Sequence, residues 1–346
     1  MRGMAALLFL LLAAPAFAEE AKPAACERVK GVKIPAADRP DAAAEKALLG
    51  SRSVSGPART PGCDAEALYY GIGVPADPVK ARHCAILEMD PRWDVETVFG
   101  GKTALMMIYA NGKGVPRNYD LAIRFACETS WAPAELEERV RHLEEMRAKG
   151  DKAPTDFDVC DDITSGYMMG HCAAHRERMA AAKRAAETKS MLARWSAAER
   201  DAFKALRAKT DAWIEARSLE EVDLSGTGRG AFVVEERDAQ EASFRELLGL
   251  LEKGAPKLAG EGASELAKAD AELNEVYRGV MGIRDFEWGT VKQEGIRTAE
   301  RAWIAYRDAW VAFTKKKYPK ASPERVAAWL TRKRTEMLRE FLPDSR

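Results

Sequence analysis

Cys160, His171, Cys172 and His175 stand close together in the chain, and cysteine thiolates with imidazoles are the usual ligands of zinc. The gap between Cys160 and Cys172 is nevertheless unlike the short CxxC knuckle of a structural zinc site, so a disulfide competes for the same sulfurs. The chain has six cysteines, Cys26, Cys63, Cys84, Cys127, Cys160 and Cys172, and an even set in an exported protein reads as three disulfides. Spacing does not choose among the connectivities; neighbouring pairs, Cys84 with Cys127 and Cys160 with Cys172, are the simplest. His83 beside Cys84 suggests a nucleophilic pair, but adjacent residues point to different faces of a helix. A bonded Cys84 with a surface His83 is the expected arrangement. Cys172-Ala173-Ala174-His175 lacks the second cysteine of a haem attachment site. The glycines of Ser225-Gly226-Thr227-Gly228-Arg229-Gly230 invite a phosphate-loop reading, yet the segment has no P-loop lysine and no strand before it. It reads as an interhelical loop. No carboxylate pair is singled out by apolar neighbours that would raise one pKa, as glycan hydrolysis requires. The residue types therefore point away from catalysis, and neither a metal nor a cofactor is expected.

The elements that would position such groups are helices. Ala299 to Phe313, AERAWIAYRDAWVAF, has a cruder copy one hundred positions earlier: Phe203, Leu206, Arg207 and Trp213 fall on Trp303, Tyr306, Arg307 and Phe313. In both copies the large residues recur at helical spacing on one face, with the arginine beside it. That face needs a partner helix, and two similar helical modules in tandem follow. The first runs over 155–253 and the second over 262–346, with a linker around Gly254 to Gly262. An earlier repeat is shorter. Tyr69-Tyr70-Gly71-Ile72-Gly73-Val74-Pro75 and Tyr109-Ala110-Asn111-Gly112-Lys113-Gly114-Val115-Pro116 place the same glycine turn 41 residues apart. Each turn follows an apolar helix, uses two glycines able to take positive φ, and restarts a helix after proline. The fold class is all-α, with short helical hairpins before two larger helical modules.

Met1-Arg2-Gly3, an apolar run from Met4 to about Ala14 and Ala16-Phe17-Ala18 have the layout of a cleavable export signal over 1–18. The run is too short to span a membrane, which takes roughly 20 apolar residues. A periplasmic or secreted protein without a transmembrane segment is expected. Residues 19–61, rich in Ala, Pro and charge, read as a poorly packed leader tethered at Cys26. Formal net charge is zero, but from Ile296 onward 13 Lys/Arg stand against 6 Asp/Glu. The sharpest cluster is Lys315-Lys316-Lys317-Tyr318-Pro319-Lys320. Such a run is a solvated helix end or a patch for anionic envelope polymers; nucleic acid is not expected as a partner.

The 62–150 region resembles Sel1-type repeats, relatives of the tetratricopeptide family, in the order of its tyrosine, GxGV turn and alanine at Ala81 or Ala122. Stacked hairpins of that kind imply a protein-binding surface. Farther on, Ala269, Asp270, Leu273, Asn274 and Tyr277 precede Trp303, Tyr306, Arg307 and Asp308, and Thr331, Arg334 and Leu338 follow. This order resembles the LprI-type lysozyme-inhibitor domain, whose pattern runs ADxxLNxxY, QRAWxxYRDAxC and TxxRxxxL. Two positions depart from it. Glu300 replaces the glutamine, and Val311 replaces a cysteine, so the module must be held by packing of Trp303, Tyr306, Trp310, Phe313 and Trp329. Arg307 and Asp308 read as structural, Arg307 tying its helix to a carboxylate such as Asp270. The resemblance implies a non-catalytic inhibitor of lysozyme, with Lys315, Lys316, Lys317 and Lys320 as the segment that would neutralise the two catalytic carboxylates of the enzyme cleft. The alternative is an envelope adaptor that grips another exported protein through the Sel1-like hairpins. An enzyme acting on cell-wall glycan ranks last.

Overall fold

A computed structural model describes residues 22–49, 63–91 and 98–343. The export-signal run and the Lys315-distal tail beyond 343 lie outside them. Among the described residues there are α-helices, three short 3-10 turns and no strand.

The first half is built on two hairpins. α1 (Ala24–Val29) and α2 (Ala42–Leu49) precede α3 (Ala65–Tyr70), α4 (Pro78–Glu88), α5 (Gly101–Asn111), α6 (Tyr119–Cys127) and α7 (Pro133–Lys149). The two glycine turns have one geometry: Gly71 and Gly73 take φ of 77° and 72°, Gly112 and Gly114 both 68°. Asp77 and Asn118 then cap α4 and α6 identically, each side chain accepting from the backbone N–H three residues on. The 41-residue repeat is therefore a repeat of structure as well as of sequence. α5 lies at the centre, with Thr103 to Asn111 all buried, as expected of a helix apolar on every side.

The leader is packed around α1, although α2 buries no residue. Cys26, Val29 and Ile34 are buried in the same core as α5 and α6, which corrects the expectation of a loose segment, because a disulfide from Cys26 to Cys127 holds α1 against α6. Cys63 bonds Cys84 and Cys160 bonds Cys172. The neighbour rule thus holds for Cys160 and Cys172 and fails for Cys84 and Cys127. α4 starts just after the α3 turn and brings Cys84 back to Cys63, while Cys127 ends α6 beside α1.

α8 (Gly166–Leu192) joins the halves. Its first turns bury Met168, Cys172, Ala173 and His175 in the first core, so residues 153–175 belong there and not to a separate module beginning at 155. The Ser225–Gly230 segment proves to be a packing device, not a free loop. A Cβ on Gly166 would lie 2.3 Å from the Thr227 carbonyl carbon, and a Cβ on Gly170 would lie 3.6 Å from the Gly230 Cα. Gly166→Val therefore lowers stability by about 1–3 kcal/mol through overpacking, whereas Gly249→Ala, whose added Cβ meets nothing within 4 Å, raises it by roughly 0.5–1 kcal/mol. Thermal unfolding followed by circular dichroism checks both.

The second core contains α9 (Ala197–Glu220), α10 (Arg229–Glu252), α11 (Ala263–Met281), α12 (Gln293–Lys317) and α13 (Pro323–Arg339). α9 and α12, the duplicated helices, pack antiparallel on each other. Phe203 meets Phe313, Trp213 stacks on Tyr306 with centroids 6.3 Å apart, and Glu220 lies against Gly295. Each copy is thus the partner helix that the other's apolar face requires. The flanking helices repeat the relation, α8 packing on α10 as α11 packs on α13. The two repeats form one pseudo-twofold unit with a single core.

Candidate protein-binding surface

The six cysteines are consumed as disulfides, so the zinc alternative at Cys160 and Cys172 has no thiolates to offer. His175 is buried, its Nδ1 2.5 Å from Glu66 Oε1 and its ring stacked on Phe99. Burial pushes the Glu66 carboxyl up, but hydrogen bonds from His175 and Arg178 outweigh it and hold the group below its ordinary value. His171 turns away onto Tyr167. His83 is partly exposed beside the bonded Cys84, and burial lowers its pKa. Among the described residues no group of three potential metal ligands converges.

The family-pattern residues lie on α11, α12 and α13 and mostly face inward. Arg307 Nη1 donates to Asp270 Oδ1 at 3.0 Å, tying α12 to α11, and its guanidinium covers the Trp303 ring. Thr331 Oγ1 reaches the same carboxylate oxygen at 3.4 Å. Asn274 donates to the Asp270 carbonyl. Trp303 and Tyr306 are buried, Tyr277 is half-buried, and Asp308 projects outward with its Oδ1 3.8 Å from Arg307 Nε.

Arg334 is fully buried and forms the centre of an ion network. Its Nη1 and Nη2 grip both oxygens of Glu221 at 2.7 and 2.6 Å, and Nε donates to Glu300 at 2.8 Å. Arg217 shares Glu221 at 3.0 Å and also binds Glu236. Burial raises the Glu300 carboxyl above its usual range despite Arg334. The glutamate that departs from the family pattern at position 300 thus supplies a negative charge to the buried arginine. Glu221 and Arg217, which complete the network, come from the end of α9 in the other repeat.

The basic cluster ends α12, where the helix dipole favours cations. Lys315, Lys316 and Lys320 are exposed. Lys317 is not available in the same way: its Nζ lies 3.0 Å from Glu199 and over the Trp195 ring. Tyr318 Oη donates to Glu252 at 2.6 Å. Hydrogen bonds from Ser196, then Lys317, pull the Glu199 carboxyl down to about 2 from 4.5. A depressed folded pKa contributes stability that is present above the unfolded value and lost as pH falls toward 2. Lys317→Met is expected to raise the Glu199 titration midpoint, as read by carboxyl NMR, without displacing Lys315 or Lys316.

A groove of about 930 Å³ opens between α8, α9 and α10. Phe203, Phe244, Leu248, Met191 and Leu192 line its apolar part, and Arg207 lies along it. No sequence signal marked this groove, because it depends on how far α8 stands from α9.

Residues 257–339 match the family model described as Lysozyme inhibitor LprI. The matched stretch covers α11, α12 and α13 together with the short turn before them. No curated protein and no solved structure matches the chain. The LprI match thus falls on one of the two pseudo-symmetric repeats, and the face of α12 that carries Trp303, Tyr306, Trp310 and Phe313 is covered by the unmatched repeat. Any surface that the matched segment offers to a partner lies elsewhere, on its outer side or at its ends. Among the described residues no helix is long and apolar enough to cross a membrane.

Proposed function

We propose that the chain is an exported, non-catalytic binding protein whose LprI-like second repeat recognises lysozyme. The match of residues 257–339 to the LprI family carries this reading, and three disulfides suit an oxidising compartment. The end of α12 is the contact we favour. Lys315, Lys316 and Lys320 project there from a turn anchored by Lys317 and Tyr318, so the charges are presented by a fixed support. A lysine placed in a glycosidase cleft opposes the paired carboxylates on which hydrolysis depends. The test is peptidoglycan lysis with excess mature protein. Protection is expected, and neutral substitution of Lys315, Lys316 and Lys320 is expected to weaken it at least tenfold, about 1.4 kcal/mol. Lysis unchanged by the native protein would refute the inhibitor reading.

The adaptor reading has one observation in its favour: the two geometrically matched hairpins α3–α4 and α5–α6, which we read as Sel1-like. In that case the first half would hold another exported protein, and anionic envelope polymers would meet the basic end. Capture of one defined envelope partner, lost on disrupting the exposed Val74 and Val79 of the first hairpin, would support it.

A further inference from the structure

One ion pair in each repeat sets a common register. Arg245 on α10 binds Glu187 on α8, as Arg339 on α13 binds Glu272 on α11. In that register Ala185 occupies the place of Asp270, and the inward positions agree: Arg184, Thr188, Met191 and Trp195 on one side, Ala269, Leu273, Val276 and Val280 on the other. The first repeat therefore lacks the carboxylate that ties α12 to α11 in the second. Arg207, the counterpart of Arg307, turns instead to Glu241 on α10 and Asp211 on its own helix, both at 2.7 Å. Among the described residues α8 has no equivalent tie to α9, and the groove lies between them.

Its charges are unevenly matched. Arg184, Arg207 and Arg245 each have a carboxylate partner. Lys189 and Arg200, at the end near the α8–α9 turn, have no ion partner among the described residues; Arg200 donates only to the Trp195 carbonyl. The carboxylate at that end, Glu252, is occupied by the Tyr318 hydroxyl. Two cations, Lys189 and Arg200, thus stand against one carboxylate, Glu252, at one end of the apolar trough, while the arginines at the other end are each paired. The wall contributed by α8 is flattened by Ala181 and Ala185. From Glu177 to Leu192 this wall is roughly 24 Å long at about 1.5 Å per residue, and an acyl chain spans about 15 Å, half the thickness of a bilayer core. The volume falls within the range of small-molecule sites, about 300–1,000 Å³.

We propose that this groove binds a single-chain anionic amphiphile, its acyl chain along Ala181, Ala185, Phe203 and Leu248 and its carboxylate or phosphate at Lys189 and Arg200. This site adjoins the proposed lysozyme contact, since Glu252 on its rim accepts from Tyr318, but it uses Lys189 and Arg200 and not Lys315, Lys316 or Lys320.

Isothermal titration of the full mature protein with palmitate, palmitoyl lysophosphatidic acid and the uncharged hexadecanol tests it. Saturable binding at one site per chain is expected for at least one anionic probe, the tighter one identifying the headgroup, with hexadecanol weaker by at least about tenfold. Ala185→Trp, at an exposed position, fills the trough and abolishes binding with the helical circular dichroism unchanged. Ala185→Asp restores the missing tie to Arg207 and weakens binding at least about tenfold. Lys189→Glu with Arg200→Glu removes the preference for the anion while leaving hexadecanol unaffected. The proposal is overturned if neither anion binds, if hexadecanol binds equally well, or if Ala185→Trp binds like the native protein.

Discussion

Arg334→Ala is expected to lower stability by about 3–5 kcal/mol, because removing one partner leaves buried charge uncompensated. Arg334 and Glu221 are both fully buried, with Glu300 nearly so. Arg217 would still reach Glu221, but it is shared with Glu236 and Glu340, and Glu300 would lose the guanidinium that opposes its burial. The network spans both repeats: Arg334 belongs to α13, Glu300 to α12 and Glu221 to the end of α9. Its loss therefore loosens the joint between repeats and not a single helix. Replacement of Arg334 and Glu221 by apolar residues of similar volume, with Glu300→Gln, is expected to recover much of the loss, since a well-packed apolar substitute for a buried ion network is often neutral or better. Urea unfolding of the two variants decides. Equal damage in both would mean that the contact of the Arg334 guanidinium with the Trp213 ring, lost in either variant, matters more than the ion pairs.

The duplication was legible because its residues are large and periodic: Phe203, Leu206 and Trp213 align with Trp303, Tyr306 and Phe313, and helix spacing puts them on one face. That each copy would serve as the other's partner was not legible, since periodicity shows that a face must be covered but not by what. The Arg307–Asp270 contact was within reach, both being pattern residues one helix apart. The Arg334–Glu221–Arg217 network was not. Glu221 ends α9 far from Arg334 in sequence, and buried carboxylates look like solvated ones in a charged helical chain. The glycine turns at Gly71 and Gly112 announced themselves by repetition, whereas Gly166 and Gly170 gave no sign that they face Thr227 and Gly230. The groove was illegible for a related reason. Ala185 lines it, and the absence of a carboxylate there becomes informative only once Asp270 is seen in the equivalent place. In the disulfide framework, proximity in sequence found Cys160–Cys172 but missed the bond from Cys26, which depends on α1 returning to α6.

That bond carries the second large effect. Cys26→Ser with Cys127→Ser is expected to destabilise the first half by about 4–5 kcal/mol, the loop-closure value for a cross-link spanning roughly 100 residues; here the separation is 101. The nested Cys63–Cys84 bond, 21 residues apart, shortens the path only slightly, and the dependence on length is logarithmic. By the same relation Cys160→Ser with Cys172→Ser, a separation of 12, costs less. The second core does not include α1 or α6. Loss of the Cys26–Cys127 bond should therefore lower the melting of the first half while leaving the tryptophan-rich second half near its native midpoint. Calorimetric scans of the oxidised variants, with tryptophan fluorescence to mark the second half, check this. Equal shifts in both halves would show that α8 couples them into one cooperative unit.

We propose that the end of α12 enters the lysozyme cleft. It is tested most directly by calorimetric titration of mature protein into lysozyme, with the cleft empty and with it filled by a chitin oligosaccharide. A one-to-one complex is expected, which the oligosaccharide displaces and neutral substitution of Lys315, Lys316 and Lys320 weakens. Absence of a complex, or one indifferent both to the oligosaccharide and to the lysines, would contradict it.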